Sequence, residues 1–291
     1  MISMDLDFST YIAHRRGLIE QRARDGAAYA YLGERKLRRA LVSAKPVAIA
    51  LEATSRLWTG KAKSEVLGKG VKANDVAHSQ VFNAAKTAAE RLGLPAPAII
   101  VLDDFPEPAR ALGIDDDPII VLRASTAKDL SVEQLIPIIG HELGHIQNDH
   151  VPYATALFYL QHQMTTTVRW IVQPATLALK AWRRRAEISC DRAALLAARD
   201  LPTALSAVTM LALPNANEAE RNQAIQDSED TEKPGSKLSS LLRGEPDLAT
   251  RLIAMRWFAE SKLFNKVANN SNSGLKTEDV DAKVGERMGP L

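Results

Sequence analysis

In the stretch IIGHELGHIQNDH, Ile138 to His150, two histidines stand four residues apart and a glutamate directly follows the first. On an α-helix that spacing puts His141 and His145 on one face, one turn apart, where both imidazoles can reach a single metal ion at about 2.0–2.1 Å. Glu142 then points beside the ion rather than at it, which is where a carboxylate must sit to take a proton from an activated water. A helix of this kind has to be buried and has to meet a second element, because a catalytic zinc site takes three protein ligands and leaves one position open. That requirement constrains the fold more than any other feature of the chain. The spacing alone also admits a plainer reading, two partly buried histidines with no metal.

The second element must supply histidine or carboxylate. The chain holds one cysteine, Cys190, so neither an intramolecular disulfide framework nor an all-thiolate site can form. A third histidine in metzincin register would fall six residues after His145, but that position is Val151, and His150 is one position off. The better third ligand is Glu187, in AEISCDRAA, with Asp191 one turn further on the same helical face. Asp191 can accept a hydrogen bond from the far nitrogen of a ligating histidine and fix its tautomer. Read alone, both acids could instead pair with Arg183, Arg184 or Arg192. Cys190 reads as a small core residue close to this site.

The 291 residues, 46% hydrophobic and 25% charged, suit one large globular domain or two small ones. Thirty-seven basic against 35 acidic residues leave +2, so no global field favours nucleic acid, and contact with an anionic membrane should be weak and peripheral at most. That contact would involve Val151 to Trp182 or the basic N-terminal helices. The N-terminus, MISMDLDFSTYIAHRRG, has no apolar run of signal-peptide length. The longest stretch without acidic or basic residues, His150 to Val168, is broken by Pro152, Gln161, His162 and Gln163 and makes a poor membrane span. A cytoplasmic protein is expected.

Along the chain, the first seventy or so residues read as helices with basic faces, with a restart at Pro46. A helix ends at Gly93. PAIIVLDD and DPIIVLRAS read as strands around the turn-rich segment FPEPARALGIDD. Ser131 with Gln134 makes a capping box, so the histidine helix should begin near Val132, bury Leu135, Ile138, Ile139, Leu143 and Ile146, and contain Pro137. Helices over residues 151 to 181 should pack over the site. AWRRRAEISCDRAALLAARDLP is a helix closed by Pro202, DSEDTEKPGSK is a flexible loop, and LATRLIAMRWFAESKLF is the last helix. The expected organisation is an N-terminal helical region over 1–73, a catalytic domain over 74–264 and a disordered tail over 265–291.

HELGHIQNDH followed by RRAEISCDRAALLA resembles the gluzincin metallopeptidases of the HtpX and CAAX prenyl endopeptidase type, whose pattern is HExxH followed by ExxxD. The resemblance runs from about Asn74 to Ser261. It implies a mostly helical α+β fold, a zincin-like domain with a small β-sheet, and one Zn2+ per chain. It implies His141, His145 and Glu187 as zinc ligands, Glu142 as catalytic base and acid, and Asp191 as the residue orienting a ligand. Family members often carry a His-Pro pair before the last helix, and here Glu245 stands where that histidine is expected, in GEPDLATRLIAM, while Arg251 matches the family's downstream arginine. His150 or Arg251 would then have to stabilise the oxyanion, or the enzyme would be slow; Glu245 could cap the zinc, but beside the helix N-terminus it reads better as an exposed helix-start acid. The reaction implied is endopeptidase cleavage of a protein or peptide substrate, held by strand addition at the strand near Pro118 to Arg123. The alternative is a latent or inactive zinc-binding protein acting through protein interaction. Oligomeric state is not legible.

Overall fold

The computed structural model describes residues 27–114, 117–162, 166–229 and 248–289. An extended segment at 27–31 leads into α1 (Leu32–Val42), α2 (Lys45–Leu57), a π-turn over Trp58–Ala62 and α3 (Lys63–Lys69). Next come β1 (Val71–Lys72), α4 (Ser79–Leu92), β2 (Ala98–Leu102), β3 (Ala109–Leu112), β4 (Ile119–Arg123) and α5 (Ala124–Asp129). The second half is helical: α6 (Val132–Gln147), α7 (Val151–His162), α8 (Thr166–Ala198), α9 (Leu201–Ala212), α10 (Glu218–Asp227), α11 (Leu248–Ala259), α12 (Lys262–Asn269) and α13 (Thr277–Met288). This is a mostly helical α+β domain with one small sheet. No helix among the described residues is long and apolar enough to cross a membrane.

The sheet has the order β1-β2-β4-β3, with β2 and β4 parallel and both outer strands antiparallel to their neighbours. Both faces are covered, which explains the unbroken apolar runs of β2 and β4. Ile99, Val101, Ile120 and Leu122 face the main core with α4 and α6, while Ile100, Ile119 and Val121 face Trp58 and Phe158. Two strands escaped the sequence reading. One is β1, of two residues; the other is β3, which lies inside the segment read as turns. The strand assigned to substrate, Pro118 to Arg123, becomes β4, flanked by β2 and β3 and therefore without a free edge. The edge strands are β1 and β3, and β3 is the edge beside β4.

Helix α6 begins as its capping box demands. Gln134 N–H reaches Ser131 Oγ at 3.4 Å, and Ser131 N–H reaches Gln134 Oε1 at 3.0 Å. Leu135, Ile138, Ile139 and Leu143 are fully buried, each worth about 1.5–3 kcal/mol of transfer from water. Pro137 lies within the first turns and does not end the helix. Gly140 and Gly144 let α6 approach α8 closely: a Cβ at Gly140 would stand 2.5 Å from Ala197 Cβ, and one at Gly144 2.8 Å from Ala193 Cβ. The small residues thus set the distance between the histidines of α6 and the acids of α8.

Where a disordered tail was expected from Asn265, the described residues to 289 form helices. Helices α12 and α13 dock on the core through Phe264, Val280 and Val284, and Asp281 pairs with the buried Arg192 at 2.7 Å. Their polar composition hides how few apolar residues suffice to seat a short helix against an existing core. Arg15, Arg16, Glu245 and most of the DSEDTEKPGSK segment lie outside the described residues.

Candidate metal centre

Helices α6 and α8 bring His141, Glu142, His145, Glu187 and Asp191 together, all of them buried. His141 Nε2 is 3.3 Å from Glu187 Oε2, and His145 Nε2 is 3.8 Å from Glu187 Oε1. On its other side His141 Nδ1 is 3.1 Å from Asp191 Oδ1, off the line of the ring N–H. Arg251, from α11, donates to both Asp191 oxygens at 2.7 and 2.6 Å and reaches Glu187 Oε2 at 3.1 Å. Arg183 donates to Glu187 Oε1 at 3.0 Å. Of the three arginines that the sequence offered these acids, Arg183 does pair with Glu187, whereas Arg192 turns away to Asp281.

The electrostatics favour a cation between the rings. Burial works against a charged His141, yet Asp191 and Glu187 outweigh it and push the imidazole up to about 9. His145 is driven well below its usual value, by burial first, with His141, His150 and Arg110 acting in the same direction. Burial alone would raise Glu187, but Arg251, Arg183 and His141 hold it well below the carboxylate range, so it is ionised. Ligands at about 2.0–2.1 Å in a tetrahedral site stand about 3.3–3.4 Å apart, close to the spacing between Glu187 and the two Nε2 atoms. Two imidazoles and an ionised carboxylate therefore fit a zinc-type ion. Cys190 also offers an atom within 4.8 Å of donors on His141 and His145. Its thiol is pushed well above its usual value by burial and the surrounding carboxylates.

Glu142 faces a cleft of about 380 Å³ that is also lined by His141, His145, Glu187 and Arg251, with Pro106–Arg110 on one wall and Leu211, Ala212 and Pro214 on another. Burial pushes the Glu142 carboxyl above its ordinary range, against the pull of His141 and Arg110. One of its oxygens accepts the Ala111 N–H of β3 at 2.6 Å. That backbone donor was invisible in the sequence. So was Arg110, a buried cation in the cleft wall, paired with Glu107 at 2.6 Å.

The auxiliary candidates fare differently. His150 does not line the cleft; it is wholly buried behind His145, so it is not placed to stabilise an oxyanion. Arg251 lines the cleft, but its guanidinium is committed to Asp191 and Glu187. Glu245 lies outside the described residues.

A buried two-histidine, one-carboxylate set with a second carboxylate beside it is an arrangement that a metal-dependent peptidase site requires. Residues 77–258 match the description of peptidase family M48, and the chain belongs to that family of metal-dependent peptide hydrolases. The chain is also similar to a plastoglobule-localized metallopeptidase of the chloroplast of Arabidopsis thaliana, 33% identical over 129 residues. That stretch is 43% of this chain and 38% of the relative's length. No solved structure matches.

Proposed function

We propose that the chain is a zinc-dependent endopeptidase, with His141, His145 and Glu187 holding one ion and Glu142 moving the proton. The observation that carries this reading is the setting of Glu142: buried in the wall of the ligands' cleft, raised in pKa, and pinned by the Ala111 N–H. A zinc ion held by these three residues would supply Lewis acidity toward the scissile carbonyl and the attacking water. Glu142 takes a proton from that water on its oxygen and passes it to the leaving amine. Its raised carboxyl suits both halves, since it binds a proton more firmly than an exposed glutamate and can still release it. Asp191, clamped by Arg251, holds His141 in one orientation.

The substrate pairs with β3. As one of the two terminal strands of the sheet, β3 presents one edge away from β4, and its first residues, Ala109 and Arg110, line the cleft. An extended peptide added there gains backbone hydrogen bonds with little demand on sequence, and a chain running along an edge strand can be cut internally.

The test is Glu142→Gln in the full chain, with metal content and casein cleavage measured together. Zinc near one per chain and turnover lower by about 10²–10⁴-fold are expected. Undiminished proteolysis would remove Glu142 from the mechanism. Zinc bound with no proteolysis in either protein would favour the latent zinc-binding alternative.

A further inference from the structure

Behind His145 stand a second imidazole and then a carboxylate from outside the span that matches the family. The C-terminal turn of α6 is the device that places the imidazole. His150 N–H returns to the His145 carbonyl at 2.9 Å, Asp149 N–H to the Ile146 carbonyl at 3.4 Å, and Asp149 sits at φ 56°. These are the two bonds and the left-handed residue of a Schellman motif. The turn folds His150 back over the end of its own helix, so that its Nδ1 lies 3.3 Å from His145 Nδ1. On the far side, His150 Nε2 is 3.2 Å from Glu34 Oε1, off the N–H axis and with no better-aligned partner among the described residues. Glu34 also accepts the Trp182 indole N–H at 3.1 Å. His150 is 0% exposed and Glu34 1%. One turn along α1, Arg38 donates to the Asn148 carbonyl at 2.8 Å, so α1 grips the end of α6 with both residues.

The chemistry of the rings fixes the protons. If His145 binds metal through Nε2, the atom facing Glu187, its proton is on Nδ1 and is donated to His150 Nδ1. One tautomer of His150 can accept it, the one protonated at Nε2, and that nitrogen faces Glu34, which only accepts. Cys190 Sγ, 3.6 Å from the same Nδ1, brings a second weak donor to it.

We propose that His150 and Glu34 are positioning residues of the metal centre: a buried carboxylate on the N-terminal helix fixes His150, and His150 fixes the ring and tautomer of His145. His141 has a carboxylate at its far nitrogen directly; His145 has one through an intervening ring. The inference rests on His145 being a ligand, as in the proposed function.

Its test is zinc affinity by chelator competition, together with the absorption spectrum of the cobalt-loaded protein, on the full chain. Removing an outer partner of a ligating histidine costs about 10–100-fold in metal affinity. Glu34→Gln, which keeps shape, should lower zinc affinity about tenfold and shift the cobalt bands. His150→Phe, which keeps a ring between His145 and Trp182, should lie toward the upper end of that range. In the double variant Glu34→Gln should add nothing, because Glu34 acts through His150. Wild-type affinity and spectrum in the folded single variants overturn the proposal, and so do losses that add in the double. A lower melting temperature of metal-free Glu34→Gln with an unchanged cobalt spectrum also overturns it, since that is what a merely structural role gives. If His150→Phe does not fold, the affinity and spectrum of Glu34→Gln decide. His145→Ala separates this proposal from the reading beneath it: zinc retained there removes His145 from the ligand set and takes the proposed mechanism with it.

Discussion

Gly144→Ala tests the argument that small residues set the geometry of the site. On an isolated helix this change stabilises by about 1 kcal/mol, because alanine is a far better helix former than glycine. Here the added methyl would stand 2.8 Å from Ala193 Cβ and 3.0 Å from Cys190 Cα, where ordinary contact begins at 3.4 Å. Neither neighbour can rotate away, as one is a methyl and the other is backbone. The helices must therefore part by about 0.6 Å, and overpacking of this kind costs about 1–3 kcal/mol. The balance is a net loss of about 0–2 kcal/mol. The parting acts directly on the ligands, since His145 follows Gly144 and Glu187 lies one turn before Cys190 on α8. His145 Nε2 and Glu187 Oε1, already 3.8 Å apart, would be driven further from the tetrahedral span. Denaturant unfolding should show equal or lower stability, and zinc affinity should fall more than stability does. A variant whose melting temperature rises by the 2–4 °C that about 1 kcal/mol gives a protein of this size, with zinc affinity intact, would refute the reasoning.

Two other perturbations have clear signs. His141, raised from 6.5 to about 9, contributes stability to the metal-free protein that is fully present below 6.5 and lost as pH rises through about 9, on the order of 3 kcal/mol at most. His145, lowered, acts in the opposite sense and below 6.5, and the raised Cys190 thiol begins to cost stability only where the unfolded thiol ionises, toward 9; denaturation curves of metal-free protein at pH 6.5 and 8 therefore read His141, and stability that holds level or rises between them would show that it is not charged. Asp281→Asn leaves the Arg192 guanidinium, 1% exposed, without its carboxylate at 2.7 Å, and should cost about 3–5 kcal/mol in unfolding free energy; a loss below about 1 kcal/mol would mean that its other partners, the Tyr29 carbonyl at 3.0 Å and the Phe258 ring with its centroid at 4.9 Å, satisfy Arg192 unaided.

What the sequence disclosed, and what it hid, follows from the range of each interaction. The start of α6, its buried face and the neighbourhood of His141, Glu142 and His145 are consequences of spacing within one helix, and the Ser131–Gln134 cap marks the start locally. Glu187 and Asp191 were legible because they too are one turn apart. Strand β3 was not, because four residues bracketed by Pro106, Pro108 and Gly113 read as turn, and their strand character comes from pairing with β4 rather than from any alternation of their own. Ala111 matters through its backbone N–H, which every residue but proline carries. Glu34 looked like one charge on a basic helix face. Its burial depends on where α1 docks, and nothing within α1 states that.

The docking of the N-terminal residues bears on where the catalytic unit begins. Ala27 N–H donates to Asn148 Oδ1 at 3.1 Å and Tyr29 O–H to Gln147 at 2.7 Å, both at the end of α6. Tyr31 N–H donates to Ser189 Oγ at 3.0 Å, and the Tyr29 carbonyl accepts from Arg192 at 3.0 Å, both on α8. The extended segment thus ties together the two helices that carry His145 and Glu187, and its Ala27, Tyr29 and Tyr31 side chains belong to the main core. Each proposed ligand also has its own neighbour: Asp191 with Arg251 behind His141, His150 with Glu34 behind His145, and Arg183 on Glu187. The carboxylate behind His141 is held from α11 and the one behind His150 comes from α1, so residues 27–34, which precede the span shared with the family, pack directly on the two helices that carry the proposed ligands.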